Sequence, residues 1–137
     1  MMQYTGVPFQ VIAGNTIKPA TAVIMSTVAD NTVLASVSTT ASCIVGICQQ
    51  GTQLDPTTGV DNGNAALSGQ NILVYGTGCV APAELSGTST SGDTMTYGSS
   101  TGIATTTTDT AFIVGVALES GGAGDIIRLL VSIFQHA

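Results

Sequence analysis

Cationic side chains are almost missing from this sequence: Lys18 and Arg128 are the only two in 137 residues, and charged residues of both signs make up 7%. An ordinary soluble domain carries about 25%. With eight acidic residues and a formal net charge of −6, contact with a phosphate backbone has little to work with, which disfavours nucleic-acid binding. Tryptophan is absent and histidine occurs once, as His136. A Ser or Cys nucleophile needs a base beside it, so any such centre would have to draw on that one imidazole, which reads more simply as a solvated terminal residue. No serine lies in a G-x-S-x-G elbow. Asp30, Glu84, Asp93, Asp109, Glu119 and Asp125 are scattered through turn-like segments, where such side chains support the local backbone. The expectation is a protein that is not an enzyme and needs no cofactor or metal.

No apolar run approaches the ~20 residues that cross a bilayer as a helix. Residues 1–13 have no basic residue and no long apolar stretch, so neither a secretory signal nor a membrane partner is expected. Cys43, Cys48 and Cys79 are odd in number and cannot all pair within one chain. Cys43 and Cys48 also stand an odd number of positions apart, on opposite faces of a strand. Three small buried thiols, in a protein made in a reducing cytoplasm, is the expectation.

What the sequence has in plenty is Thr, Val, Ile, Ser and 17 glycines, residues of strands and turns, while the usual surface-helix formers are scarce. By size it is one domain, able to bury roughly two-thirds of its unfolded surface. The expected fold is all-β with little or no helix: a small β-barrel or β-sandwich over residues 16–137, preceded by an extended N-terminal arm or edge strand over 1–15. Pro8 stands there among Tyr4, Val7, Phe9 and Val11, and proline in a strand belongs at an edge. Further strands are expected over 22–28, 32–38, 43–48 and 71–75. Residues 79–85 read as a short strand with a helical turn at Pro82. Segments 94–97 and 102–106 form a hairpin, and 112–118 and 125–134 flank a glycine-rich turn. In the last strand Ile127, Leu129, Val131 and Ile133 share an apolar face, while Arg128, Leu130 and Phe134 lie on a mixed opposite face. Residues 49–70 form a long polar loop insertion with a minor hairpin at Asn62-Gly63.

The chain echoes itself. Ile44-Val45-Gly46-Ile47 returns as Ile113-Val114-Gly115-Val116, each after a Thr/Ser-rich approach. Ser68-Gly69-Gln70-Asn71-Ile72-Leu73-Val74 matches Ala123-Gly124-Asp125-Ile126-Ile127-Arg128-Leu129, with a longer loop in the first copy. The expectation is two related β units sharing one core.

Two motifs give way to simpler readings. Gly76-Thr77-Gly78-Cys79-Val80-Ala81 has the G-x-G-x-x-A spacing of a dinucleotide turn, but Pro82 follows at once and no helix is available to face a pyrophosphate. Asp61-Asn62-Gly63-Asn64, with Asp55 nearby, offers oxygen ligands but lacks the alternating acidic spacing and terminal Glu of a calcium loop. A type I′ turn accounts for it.

The run Gly92-Asp93-Thr94-Met95-Thr96-Tyr97, then Ile113-Val114-Gly115-Val116-Ala117-Leu118-Glu119, then Ala123-Gly124-Asp125 and a final strand resembles the C-terminal half of small tailed-phage capsid cement, or decoration, proteins. The family pattern there is roughly G-D-x-V-Y, I-G-V-A-x-E, and A-G-D before the last strand. The resemblance is specific over residues 92–133 and looser over 11–48, where Pro19, Ala22 to Met25 and Val45-Gly46-Ile47 fit the repeated half. The Leu/Ile-rich last strand and the 49–70 loop depart from the pattern.

The resemblance implies a structural protein on the outer surface of the virion that staples neighbouring major capsid proteins, its partners being that capsid protein and two further copies of itself in a homotrimer. Tyr4, Val7, Phe9 and Val11 are the candidates for capsid contact, since a terminal strand can add to a foreign sheet edge. The same aromatics, Tyr4 and Phe9, read equally as core. Arg128, Leu130 and Phe134 are the candidates for contact between subunits. The competing expectation is a virion surface fibre or adhesin-like module, whose loops 49–70 and 86–93 recognise a receptor or glycan.

Overall fold

The computed structural model of the protein describes residues 7–35, 44–97, 104–106 and 112–135; the side chains of Tyr97, Ala104, Thr105, Thr106, Phe112, Phe134 and Gln135 are not described. Tyr4, Cys43, Asp109 and His136 lie outside the described residues. The chain is all-β, with no helix among the described residues. Its strands are β1 (Phe9–Ala13), β2 (Ala22–Met25), β3 (Thr32–Ala35), β4 (Ile44–Cys48), β5 (Asn71–Tyr75), β6 (Val80–Glu84), β7 (Thr94–Tyr97), β8 (Ala104–Thr106), β9 (Phe112–Ala117) and β10 (Ile126–Gln135).

The first five close into a barrel in the order β1-β3-β2-β4-β5, and the rest form a sheet in the order β6-β10-β9-β7-β8. The barrel closes where β1 runs parallel to β3, through Ile12 opposite Thr32 and Ala13 opposite Val33. On its other side β1 pairs antiparallel with β5, from Phe9 opposite Val74 to Ile12 opposite Asn71. Residues 9–13 are therefore barrel wall rather than a free arm or edge, because alternation carries Val11 and Ala13 inward while Gln10 and Ile12 stay exposed.

Read around the barrel from β1, the order β1-β5-β4-β2-β3 maps strand for strand onto β6-β10-β9-β7-β8. The match extends to irregularities. The β2–β4 register shifts just after Val23 opposite Gly46, and the β7–β9 register just after Met95 opposite Gly115. A methyl added at Gly46 would run into the carbonyl oxygen of Tyr75, and one at Gly115 into that of Leu130. The isolated bridge of Ile17 with Ala66 has its counterpart in Ser89 with Gly121. Ala20 (φ 57°) and Gly92 (φ 94°) hold the same left-handed turn. Before β5 the Leu67 N–H donates to Gln70 Oε1, and before β10 the Gly122 N–H donates to Asp125 Oδ2, each at 2.8 Å. These are two copies of one β unit.

Their interiors differ. Instead of one shared core there are two clusters. The barrel is filled by its own residues, among them Ile17, Val23, Val33, Ile72 and Val74. The second cluster joins the inner face of the second sheet (Leu85, Met95, Val114, Ile127, Leu129, Val131) to Ala22, Ile44 and Ile47 on the outer side of barrel strands β2 and β4. The apolar odd face of β10 is thus interior, as its alternation requires. Substitutions compensate locally: Leu85 stands where the barrel has Ala13, and a methyl on Gly121, where the barrel has Ala66, would come within 3.1 Å of Leu85 Cδ1.

Three local expectations are corrected. The strand from residue 22 ends at Met25, because Ser26 Oγ accepts the N–H groups of Val28 and Ala29 and turns the chain. Pro82 makes no helical turn; it sits in β6 opposite Arg128, on the rim of its sheet, where a missing N–H costs no ladder bond. The hairpin within residues 49–70 lies between Leu54 and Asp61, where Asp55 N–H bonds Val60 O. Asp55 Oδ1 takes the Thr57 N–H there and fixes the turn, whereas the Asn62-Gly63 pair follows the hairpin.

Candidate interaction surfaces

Where the barrel meets the second sheet, their outer faces form a cleft of about 510 Å³. β5 gives it Leu73 and Tyr75, β6 gives Val80 and Pro82, and β10 gives Ile126 and Arg128. Leu73 and Ile126 remain 38% and 41% exposed, and Leu130 beyond them 37%, so this wall carries apolar surface that the chain itself does not cover. The polar rim is held in place. Gln49 Oε1 accepts the Leu73 N–H and its Nε2 donates to Gly51 O.

Arg128 is committed within the chain. Its main-chain N–H donates to Glu119 Oε2 at 3.0 Å, and its Nε and Nη2 reach Glu119 Oε1, each at 2.8 Å. These contacts hold the Glu119 carboxyl below its ordinary range, the main-chain N–H contributing most and the guanidinium next. With 39% of each side chain accessible, the pair adds little to stability. Its effect is to fix the guanidinium against the cleft wall. Leu130 faces outward on the same strand; the Phe134 side chain is not described.

A second groove, about 600 Å³, opens between the start of β1 and the end of β10. Val7, Phe9, Val45, Thr77 and Ile133 line it. Val7 is 84% exposed and Phe9 39%, so these two predicted contact residues share an accessible apolar surface. Val11 does not join them: it lies 9% exposed in the barrel core. Tyr4 is outside the described residues.

Cys48 and Cys79 are both buried. The Cys48 thiol donates to Lys18 O at 3.1 Å, and burial pushes its pKa up despite contacts with Thr21, the opposite of an activated nucleophile. The candidate calcium oxygens are occupied locally. Asp61 Oδ1 accepts the Gly63 N–H and Oδ2 the Thr52 hydroxyl. Among the described residues no three His, Cys, Asp or Glu side chains come together as metal ligands do, and no helix is long and apolar enough to cross a membrane.

Sequence reasoning picked out Val7, Phe9, Arg128 and Leu130 but missed the cleft-lining Leu73 and Tyr75. Alternation does set Leu73 and Tyr75 opposite Ile72 and Val74. What it lacked was the knowledge that β5 stands beside the second sheet.

No protein-family model matches the chain, and no curated protein matches it in sequence. Among solved structures the chain is similar to that of "head fiber gp8.5 N base in bacteriophage phi29", at 19% identity and a TM-score of 0.56, over 95% of this chain and 98% of that one. At this identity the likeness is one of fold.

Proposed function

We propose that this protein is a structural component of a tailed-phage virion, seated on the outside of the head. The observation that carries this reading is the fold likeness to a head-fibre base, which runs nearly end to end in both chains. The cement-like run over residues 92–133 supports it independently.

Within that reading we infer a cement role. The protein bridges neighbouring capsid subunits through its outward apolar surfaces, with Val7 and Phe9 on one groove and Ile126 and Leu130 beside the cleft. A clip that touches several subunits gains from effective concentration, since each contact after the first is nearly intramolecular. Contacts made by apolar patches and few charges are weakly screened by salt, which suits a particle exposed to varied media. The second reading is a fibre base that anchors a longer appendage, and the same structural neighbour favours it.

The experiment is to mix purified protein with undecorated heads and image the particles. Saturable occupancy at symmetry-related sites over the whole shell is the cement result. Occupancy confined to a small subset of sites is the fibre result. Protein that stays in the supernatant across a wide concentration range would refute both. The Phe9→Ser and Leu130→Ser variants then assign the contact: loss of binding by a variant that still folds identifies its groove as the capsid-facing one.

A further inference from the structure

The loop between β4 and β5 contains an asparagine followed by glycine, and its surroundings bear on its chemistry. Asn62 and Gly63 are exposed, Gly63 holds φ at 80°, and a methyl added to Gly63 would meet nothing within 4 Å. Glycine leaves the main-chain nitrogen unshielded, so in an unfolded chain it reaches Asn62 Cγ with little hindrance. In the folded loop that nitrogen is held elsewhere. Its N–H donates to Asp61 Oδ1 at 2.8 Å, and Asp61 Oδ2 is anchored in turn by the Thr52 hydroxyl at 2.7 Å. Asp61 is also fixed through its main chain, which bridges Leu54 across the hairpin.

We propose that Asn62-Gly63 is a site of spontaneous conversion of asparagine to aspartate and isoaspartate, and that Asp61, braced by Thr52, is the positioning residue that slows this conversion in the folded protein. The Gly63 nitrogen gives up its proton to hydroxide and attacks Asn62 Cγ. A new C–N bond closes a five-membered succinimide as the bond from Cγ to Nδ2 breaks, and ammonia leaves after taking a proton from water. Water then adds to either ring carbonyl and opens the ring, giving aspartate or isoaspartate, so no oxidant or reductant is consumed. A carboxylate is far too weak a base to take an amide proton. The Asp61 contact is a charge-assisted bond that must break before the nitrogen can attack.

The product would weaken the loop that guarded it. A new carboxylate would stand beside Asp61 in a chain already at net −6, and isoaspartate adds a main-chain atom next to the Thr52–Asp61 contact. This inference goes beyond the virion reading and does not depend on it.

The test incubates the full chain in mildly alkaline buffer and follows intact mass and peptide maps over time, folded and in urea. The folded chain should convert at position 62 about tenfold more slowly or better, the factor expected for a charge-assisted hydrogen bond that must be lost first. Asp61→Ala should bring the folded rate to within a few fold of the unfolded one. Thr52→Val should fall between them, and Asn62→Gln should remove the mass gain. Equal folded and unfolded rates, an unchanged rate in Asp61→Ala, or conversion mapped to another asparagine would overturn the proposal. Should Asp61→Ala fail to fold, the comparison of folded with unfolded wild-type chain still decides it.

Discussion

Replacing Gly46 or Gly115 with alanine tests the two-unit architecture at its tightest points. Neither glycine is needed for its backbone angles; what matters is space. A β-carbon on Gly46 would lie far inside the 3.0 Å that real β-carbons keep from other atoms, against the carbonyl oxygen of Tyr75, with Val74 Cγ1 at 2.8 Å. On Gly115 it would meet the carbonyl oxygen of Leu130, with Leu129 Cγ at 3.1 Å. The obstacle is main chain, so no rotamer change relieves it, and the neighbouring strand must retreat by about an ångström. Overpacking of this kind costs about 1–3 kcal/mol, and a backbone obstacle belongs at the upper end. For a chain of 137 residues, a loss of about 2–3 kcal/mol lowers Tm by roughly 7–10 °C. Urea unfolding followed by circular dichroism measures it. The control is Gly78→Ala, at φ 94° in open space, where only backbone strain of about 1–2 kcal/mol applies. If both core-glycine variants stay within about 0.5 kcal/mol of wild type, or if the control costs more than either, the close approach of β4 to β5 and of β9 to β10 is not as described.

Ser89 occupies the place that Ile17 fills in the barrel, is 3% exposed, and its hydroxyl has no hydrogen-bond partner among the described residues. Ser89→Ala should therefore stabilise the fold by about 1 kcal/mol, read from the urea midpoint; a destabilised variant would mean that the hydroxyl has a partner. Glu119 gives a pH signature. Its carboxyl is held below the ordinary value of 4.5 by Arg128, so its contribution is fully present above that value and is lost as pH falls through the lower folded value. Thermal unfolding across acidic pH should show wild type losing stability below that ordinary value more steeply than Glu119→Gln, and parallel curves would remove Glu119 from the account.

Much of the strand pattern was legible because apolar alternation is bounded by glycine. Asn71–Tyr75 and Thr94–Tyr97 begin and end where the sequence places them. The duplication was also legible, since Gly46 and Gly115 must be glycine for the same steric reason in both copies. Partnership was not. Alternation would set Ile44 and Ile47, three positions apart, on opposite faces. The register shift between Val23 and Ile24 brings both to the face that the other half of the chain covers, and nothing local announces that shift or that cover. The parallel closure of β1 on β3 joins residues twenty apart through main-chain bonds that any side chain permits, so the sequence carries no mark of it. Pro82 misled because proline ends helices and interior strands alike, and only the sheet order reveals that β6 lies on a rim. The same limit governs the surfaces: the pattern sets Val7 and Phe9 apart from Val11 only once Val11 is known to point into a closed barrel.

The two clusters make the halves unequal in what they require. Among the described residues the barrel's interior is drawn from residues 11–74, whereas the second sheet leans on Ala22, Ile44 and Ile47. Synthesis therefore delivers the half whose core is its own before the half that leans on it. A chain permuted to make β6–β10 first would reach the same contacts, but with its apolar inner face bare to the cell until the barrel arrived.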